Sequence, residues 1–510
     1  MSRLEDIAPS LSDIPESFAP ALRYLGTAIA LWTAWYFYTF HLPQIRHSDE
    51  PPILPYRIPV VGHAFQMFSS ASKLFARGKK QFKGRMFTIV TMGTPMYIVT
   101  SAPDVLSAFK MPKDLDFDPV IAQIMGCYGM SREGVEAQSK VGEGGKTFVD
   151  RSVEMFKVQL HPGEKLDVLQ DVLLKRIDEQ LTYEKIEGGM VREDRGEGKV
   201  VDMYEWAGTV IIEAQTRAFF DEVIFELCPE IVGQEMIFEE EAWKLSMELP
   251  RWAAGKFHSS MDYVRDGLLR YLQLPKEKRK GESWVVTSML ESMEKEGYDA
   301  NTRAISLFAF YRVVNGNAYK LVFWLITYIL FDTSSLLKDL QSEISPAFEP
   351  DGSINLDTLF NSCPLLASTC EEALRLTDWS VGMRKVTKDT VLAGKRLRAG
   401  RNLFMAYRTM HFDQQAFGTD ADSFKPRRFM DNPSLIKSSW YKPFGGATHY
   451  CPGRFIARKE IVMFVAILLK RFDLGLPEGS KFPKVDDTLP SGGVQSPLPG
   501  QSLHVRVKKA

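Results

Sequence analysis

The stretch FGGATHYCPGRFIA, residues 444–457, is the part of the sequence that decides the fold. Its two glycines permit a tight loop whose backbone can approach a flat cofactor closely. Cys451 lies just before a predicted helix, where amide groups and the helix dipole stabilise a thiolate. His449 can donate a hydrogen bond to a carboxylate, and Pro452 and Gly453 restrict the turn after the sulfur. A lone cysteine is more often a small buried hydrophobe, so the prediction of a metal-bound thiolate depends on this surrounding pattern.

This stretch resembles the haem-binding loop of the cytochrome P450 family, Phe-x-x-Gly-x-Arg/His-x-Cys-x-Gly. Phe444, His449, Cys451 and Gly453 match that pattern, whereas Ala447 stands where the family usually has glycine. The resemblance implies a haem cofactor (iron protoporphyrin IX) bound by these four residues, with the Cys451 thiolate as the metal ligand. A thiolate ligand donates electron density to haem iron and favours O–O cleavage. The resemblance also implies the fold class, mainly α with small β-sheets.

Two further motifs support the resemblance. Glu372 and Arg375 form an E-x-x-R on a predicted helix, where residues three apart share one face and can pair. Arg428, in FKPRRF, matches the arginine that joins this pair in the family's buried network behind the haem. Arg384 matches an arginine that commonly meets a haem propionate, and a strand-surface arginine is the equal alternative.

The long helix predicted for residues 302–332 departs from the family. Most members carry an acid followed by Thr, which deliver protons to iron-bound dioxygen, but here Asn317 and Ala318 occupy those slots. An amide can hydrogen-bond but cannot transfer a proton at neutral pH, and alanine has no hydroxyl. The pair Gly316-Asn317, followed by Phe323-Trp324, resembles the family branch that contains sterol 7α- and 12α-hydroxylases and prostacyclin synthase. Alternatively, Asn315 and Asn317 only cap a helix break at Gly316.

Three functional hypotheses follow. The first is a monooxygenase (EC 1.14 class) that hydroxylates or epoxidises a lipophilic terpenoid, steroid or polyketide in secondary metabolism, with Asn317 or Asn315 anchoring a proton-relaying water as the catalytic residues. The second is a haem-thiolate isomerase, dehydratase or cyclisation enzyme that does not use dioxygen, which Ala318 favours. The third is a haem-binding sensor or carrier. The anchored architecture resembles eukaryotic microsomal members, fungal ones in particular.

The N-terminal region predicts a membrane anchor. YLGTAIALWTAWYFYTF, residues 24–40, carries no charge and is slightly shorter than the roughly 20 residues a span needs. Its aromatic side chains suit the membrane interface, and a basic region typical of a signal peptide is missing. A buried soluble helix is the alternative. We expect a tail (1–20), a single transmembrane anchor (21–42), a proline-rich hinge (43–62) and a catalytic domain (63–510).

The amino-acid composition argues against some classes of binding partner and cellular compartment. The chain contains 63 Lys and Arg against 64 Asp and Glu, so it lacks the basic surplus of a nucleic-acid binder. Its five widely spaced cysteines disfavour a disulfide framework and fit a reducing compartment.

The resemblance implies NADPH-cytochrome P450 reductase as electron donor, and an endoplasmic reticulum membrane location with a cytosolic catalytic domain. Candidate reductase-docking cations are Lys442, Arg454, Arg458 and Lys459, and candidate substrate-pocket positions are Cys127, 376–381 and Val494.

Hydrophobic periodicity predicts several further elements. Apolar residues recur at helical spacing over residues 166–181, and a helix continues over residues 461–472 after Cys451. Residues 86–99 predict two strands around a Gly-Thr-Pro turn, and residues 386–405 predict further strands. Residues 187–199, rich in glycine and charge, predict a surface loop.

Overall fold

The computed structural model describes residues 19–510 apart from 195, 197, 248 and 488–491. Most of the predicted tail therefore lies outside the described residues. The α-helices in chain order are α1 (Ala19–Tyr36), α2 (Leu42–Arg46), α3 (Ala64–Gln81), α4 (Ala102–Phe109), α5 (Asp118–Cys127), α6 (Arg132–Ser139), α7 (Phe148–Leu160), α8 (Glu164–Gln180), α9 (Met203–Phe220), α10 (Val223–Leu227), α11 (Ile231–Glu241), α12 (Gly255–Gln273), α13 (Trp284–Lys295), α14 (Ala300–Asn315), α15 (Ala318–Phe331), α16 (Leu336–Ile344), α17 (Leu356–Asn361), α18 (Pro364–Thr377), α19 (Tyr407–His411), α20 (Gln414–Phe417), α21 (Arg428–Asp431) and α22 (Arg454–Arg471). A π-helical turn, Phe37–His41, joins α1 to α2.

The strands form three small sheets. They are β1 (Phe87–Thr91), β2 (Thr94–Val99), β3 (Leu115–Asp116), β4 (Val191–Asp194), β5 (Lys199–Asp202), β6 (Val381–Val386), β7 (Thr390–Leu392), β8 (Lys395–Leu397), β9 (Asn402–Ala406), β10 (Phe472–Gly475) and β11 (His504–Lys509). The order of neighbouring strands is β1-β2-β9-β6-β3 in the first sheet, β10-β11-β5-β4 in the second and β7-β8 in the third. All pairings are antiparallel except β2 with β9, where Tyr97 lies opposite Leu403. The predicted class, mainly α with small β-sheets, is confirmed.

Two adjacent helices show how the apolar pattern builds the core. On α8, Leu166, Leu169, Leu173 and Ile177 are buried at helical spacing, as predicted, and this face packs on α9 and α22. In contrast, α22 is buried on all sides from Met463 to Leu469. A helix that is apolar all round belongs in the centre of a large core. The helix that follows Cys451 is therefore held rigidly by its neighbours.

The sheet predictions are largely confirmed, with two corrections. The turn between β1 and β2 lies at Met92 and Gly93, both at positive φ, and the Thr94–Pro95 pair already belongs to β2. Residues 191–194, predicted as loop, form strand β4 at the edge of its sheet, and three of its four side chains are exposed. An edge strand with solvated side chains needs no apolar alternation, so its composition resembles that of a loop.

The predicted anchor region is helical, and its side chains are mostly exposed. Tyr24 is 77% exposed and Leu31 is 67% exposed. By length and composition, the described part of the chain contains one helical segment suited to crossing a membrane, Ala300–Phe331, and 72% of its most apolar window is buried. That segment comprises α14 and α15, so its apolar character reflects a core position.

Candidate active site

The loop that carries Cys451 is a closed turn leading into α22. The Gly445 amide donates a hydrogen bond to Lys442 O at 3.0 Å, and the Cys451 amide donates one to Phe444 O, also at 3.0 Å. Gly445 adopts a positive φ of 72°. The loop thereby doubles back on itself before Gly453 and the first turn of α22. Phe444 and Gly453, both predicted cofactor-binding residues, thus bracket the cysteine within this loop.

Two opposing effects act on the ionisation of Cys451, and burial is the larger of them. Burial raises the pKa of the Cys451 thiol, while hydrogen bonds from the backbone N–H groups of Gly453 and Arg454 lower it, as do the charges of Arg454 and Arg458. Burial makes a free thiolate costly, and coordination to a metal ion removes that cost because a coordinating thiol is deprotonated outright. The site therefore favours a buried thiol that ionises when it binds metal.

Ala447, the departure from the family pattern, has a strained backbone. Its φ is 57°, in the left-handed region where a Cβ approaches the neighbouring carbonyl oxygen. The methyl group is therefore accommodated at a conformational cost that glycine would avoid.

We expect Ala447→Gly to raise the free energy of unfolding by about 1 kcal/mol, because glycine adopts this φ without steric strain. Urea unfolding followed by far-ultraviolet circular dichroism measures the change. Ala457→Gly, in the first turn of α22, is the matched control and should lower stability by about 1 kcal/mol. Equal losses in both variants would contradict the assignment of strain to Ala447.

A second group of residues lies near the loop and includes an arginine that forms no ion pair among the described residues. Arg384, on β6, is 8% exposed, and its Nη1 donates only to Met383 O, at 2.6 Å. Its guanidinium carbon lies 5.2 Å from the Phe117 ring centre, and the His449 ring lies 5.0 Å from the same ring. In the described part of the chain no carboxylate oxygen lies within 4 Å of Arg384.

The electrostatics of this group suit an anionic cofactor. Burial lowers the pKa of the Arg384 guanidinium, and burial together with the Arg384 charge lowers the pKa of His449. Carboxylates placed beside these two side chains would stabilise the charged form of each. The propionates of a haem would supply two carboxylates and Cys451 would supply the iron ligand, so these residues fit the group.

Behind the loop lies a buried ion network. Glu372 and Arg375, both 0% exposed, pair through two hydrogen bonds of 2.8 Å. Arg428 Nε donates to Glu372 Oε1 at 2.9 Å and its Nη1 donates to Asp420 Oδ1 at 3.0 Å. Arg375 also donates to the His411 carbonyl, at 2.8 Å. The predicted triad is confirmed, and it ties α18 to the segment that precedes the cysteine loop.

These features agree with a comparison against known families. The profile described as Cytochrome P450 matches residues 321–504, a range that contains the ion network, Arg384 and the cysteine loop. The chain belongs to the cytochrome P450 family. It is an oxidoreductase of the monooxygenase type, and its cofactor is haem.

Relatives of this cytochrome P450 include fungal and mammalian proteins. Cytochrome P450 monooxygenase poxD of Penicillium oxalicum is 24% identical, with 86% of this chain and 90% of the relative covered. Cytochrome P450 7A1 of Oryctolagus cuniculus is 23% identical, with 89% and 92% covered. A bifunctional cytochrome P450/NADPH–P450 reductase of Gibberella moniliformis is 28% identical over 240 residues, which are 46% of this chain and 20% of the relative.

The long helix of this cytochrome P450 is interrupted where the sequence departs from the family. α14 ends at Asn315 and α15 begins at Ala318, and neither asparagine side chain caps α15. Asn317 Oδ1 instead accepts a hydrogen bond from the Val494 amide at 2.9 Å. Asn315 is fully buried and donates to Tyr311 O at 3.1 Å, while its Oδ1 has no partner among the described residues. The break is confirmed, and a catalytic role of either asparagine stays a prediction.

Two of the predicted pocket segments meet at this break. The Trp379 amide donates to Gly493 O at 2.8 Å, and Asp378 forms a β-bridge with Val494. Segment 376–381 and the C-terminal loop therefore lie together beside Asn317. Cys127 ends α5, next to Tyr128, whose ring packs 5.0 Å from Phe308 on α14.

A buried charge cluster beside the break was not predicted. Arg312 on α14 pairs with Glu235 and Glu239 on α11, and Lys320 on α15 pairs with Glu239. Burial raises the pKa of Glu235 to about 7, and Glu239 Oε1 lies 3.0 Å from where a Cβ on Gly316 would be. The signal in the sequence was the presence of Arg312 and Lys320 within the most apolar part of the predicted long helix. Their partners lie 77 and 81 residues away.

The four predicted docking cations are half-buried and engaged within the chain. Their partners are Ser438 O for Lys442 at 2.8 Å, Cys451 O for Arg454 at 2.8 Å, Glu371 for Arg458 and Gln170 for Lys459. Each therefore has a local structural role, and reductase docking through these residues stays a prediction.

The buried carboxyl group of Glu460, on α22, makes the free energy of unfolding depend on pH. It is 2% exposed, and its Oε2 accepts a hydrogen bond from Gln215 Nε2 at 2.8 Å. Burial raises the pKa of Glu460 from 4.5 to about 8. Between these two pH values the folded protein retains a proton that the unfolded chain releases, so the free energy of unfolding falls as pH rises.

We expect the free energy of unfolding of Glu460→Gln not to fall as pH rises through this range, because the amide keeps the shape of the carboxylic acid and does not ionise. The stability gain over wild type should grow with pH through this window to on the order of a few kcal/mol. Urea unfolding at pH values below and above the window measures it, with exposed Glu136→Gln as control. Parallel pH profiles for wild type and Glu460→Gln would show that the buried carboxyl does not titrate as described.

Proposed function

We propose that the protein hydroxylates or epoxidises a lipophilic small molecule, a terpenoid, steroid or polyketide of secondary metabolism. The observation that carries the proposal is the Cys451 thiol just before α22, in the same loop as His449, together with Arg384, which has no ion pair among the described residues. Haem, when bound, supplies the redox chemistry that activates dioxygen. The fungal relatives named as monooxygenases support the reaction type. The substrate class rests on the family resemblance.

We further propose that a single anchor, residues 21–42, holds the catalytic domain, residues 63–510, on the cytosolic face of the endoplasmic reticulum. The exposed apolar side chains of α1 and the proline-rich hinge, residues 43–62, support this arrangement. NADPH-cytochrome P450 reductase is the proposed electron donor. Relatives that carry a reductase in the same chain support that choice.

The break between α14 and α15 offers a proton source despite the missing acid. Glu239 reaches Gly316 from α11, and Glu235 can hold a proton near neutral pH because burial raises its pKa to about 7. Asn315 Oδ1 is a buried acceptor that can hold a water at the break. We therefore propose that Asn315 and Asn317 position water at the break, close to this pair of acidic side chains.

The second candidate is a haem-thiolate isomerase, dehydratase or cyclisation enzyme. Ala318 favours it, because a reaction that does not activate dioxygen has no need of a hydroxyl in this slot. Both candidates use Cys451 and the same cofactor, and they differ in their need for electrons from NADPH.

Turnover of a panel of terpenoids, steroids and polyketides, chosen by their shift of the haem absorption band on binding, distinguishes the candidates. The monooxygenase proposal expects product only with NADPH and reductase, and incorporation of label from ¹⁸O₂. Product formed at the same rate without NADPH and reductase, with no label, would establish the second candidate.

For the monooxygenase we expect Ala318→Thr to lower the hydrogen peroxide released per NADPH severalfold. An added hydroxyl would assist proton delivery, and protons delivered in the right place commit the oxygen to product. Peroxide and NADPH are measured in the same reconstituted reaction. Ala318→Val, of similar size but without a hydroxyl, is the control, and an equal effect of both substitutions would assign the change to packing.

A further inference from the structure

A cavity of about 700 Å³ lies between the hinge and the edge of the sheet that contains β1 and β2, and no residue of the cysteine loop lines it. The hinge contributes residues between Pro43 and Val60, the sheet contributes residues of β1 and β2, and the β7–β8 hairpin with the loop after it forms the third side. A cavity of this size holds a small organic ligand. None of the residues proposed above for catalysis lines it.

The cavity carries a surplus of positive charge. Its lining contains four cations against two carboxylates: Arg85, Lys395, Arg398 and Arg401 against Glu50 and Asp104. The surplus attracts an anionic ligand, and several converging donors suit the oxygens of a phosphate.

The ion pairs within the cavity leave part of that charge uncompensated. Glu50 is shared among three guanidiniums: it pairs with Arg398, lies 3.2 Å from Arg396 Nη2 and lies 3.8 Å from Arg401 Nη1. Lys395 Nζ donates to a backbone carbonyl, Ser48 O, at 2.6 Å. Arg85 Nε likewise donates to Phe82 O at 3.3 Å. Carbonyls do not neutralise a cation, so Arg85 and Lys395 are available to an anion.

The remaining wall is apolar and adjoins the proposed anchor. Phe40 and Tyr56 line the cavity and pack edge to face with ring centres 4.9 Å apart. Val60 also lines it and is 73% exposed. Trp35 on α1 packs 5.6 Å from Tyr56, so the end of the anchor helix lies against the cavity. A ligand here has a charged part beside the cations and an apolar part beside α1.

We propose that this cavity binds the phosphate headgroup of an acidic phospholipid whose acyl chains run along α1. The choice of a lipid as the source of the phosphate rests on the proposed membrane anchoring; the affinity for a phosphate anion does not. An amphiphile uses both the cations and the apolar wall, whereas inorganic phosphate uses the cations alone. The bound headgroup would tie the hinge to the sheet and set the catalytic domain against the membrane surface.

The test uses the full-length haem-loaded protein in neutral detergent with three probes: dioctanoyl phosphatidic acid, dioctanoyl phosphatidylcholine and inorganic phosphate. Native mass spectrometry counts bound lipid, and isothermal titration calorimetry gives Kd. The test variant is Arg85→Gln/Lys395→Gln, which leaves the ion pairs of Glu50 in place. The matched control is Lys278→Gln/Lys280→Gln, which removes two exposed cations elsewhere.

We expect saturable binding of one phosphatidic acid, weakened roughly 20-fold by the test variant and unchanged in the control. Equal loss in both variants, equal binding of phosphatidylcholine, or no saturable binding would overturn the proposal. Inorganic phosphate binding as tightly as phosphatidic acid would overturn the lipid assignment. The reduced carbon monoxide spectrum verifies folding of each variant, and substrate oxidation, measured separately, tests the proposed function.

Discussion

Replacing Cys451 by alanine is expected to abolish the strongly red-shifted Soret band of the reduced carbon monoxide complex, together with all substrate turnover. That band requires thiolate coordination to iron, and Cys451 is the cysteine placed at the start of α22 with backbone N–H groups directed at its sulfur. Arg384 and His449, which are predicted to bind the periphery of the cofactor, carry no sulfur and cannot produce that band.

Two further variants keep this experiment decisive. Cys451→His offers the iron a neutral nitrogen ligand, so it should retain haem without showing the thiolate band even if the alanine variant loses haem entirely. Cys363→Ala removes a buried cysteine at the start of α18 and should keep the band. A normal band in Cys451→Ala would mean that another group holds the iron.

Replacing Glu372 by alanine is expected to lower the free energy of unfolding by about 3–5 kcal/mol. The substitution leaves Arg375, which is 0% exposed, without its carboxylate, and it also removes the acceptor of Arg428 Nε and of the Lys425 amide. An unpaired charge in this position has no access to water, which makes its burial costly. Urea unfolding and the rate of haem loss measure the effect.

The control for Glu372 is the exposed pair Arg132–Glu136, whose side chains are 88% and 64% exposed. Glu136→Ala should cost no more than about 0.5 kcal/mol because water solvates both partners after the change. If Glu372→Ala cost no more than Glu136→Ala, the buried network would not be what holds α18 to the segment before the cysteine loop.

The part of the site that the sequence predicted best consists of residues that lie close together in the chain. Cys451, His449 and Gly453 lie within a few residues of one another, so a short loop pattern determines their arrangement. Glu372 and Arg375 share a helix face, and the structure confirms both their pairing and the addition of Arg428. The prediction of the core face of α8 succeeded for the same reason, since helical spacing is a local property.

Contacts between distant segments were not accessible in this way. The pairing of Arg312 with Glu235 joins α14 to α11, and no spacing rule connects two helices that meet only after folding. Asn317 was assigned to the acid slot by alignment, yet its hydrogen bond to the Val494 amide depends on where the C-terminal loop packs. Strand β4 was missed because its edge position, a tertiary property, removes the need for apolar residues.

The sequence by itself predicted the cofactor, its cysteine ligand and the helical class, because the resemblance that implies them is carried by residues close together in one loop or one helix; the ligand stays a prediction. The tertiary structure alone decided that Arg384 has no carboxylate oxygen within 4 Å in the described chain, that Glu239 reaches the break at Gly316, and that the hinge lines a cationic cavity. Each depends on burial and on charges from segments far apart in the chain. Electrostatic energies are set by distance and solvent exposure in three dimensions, which residue order does not specify.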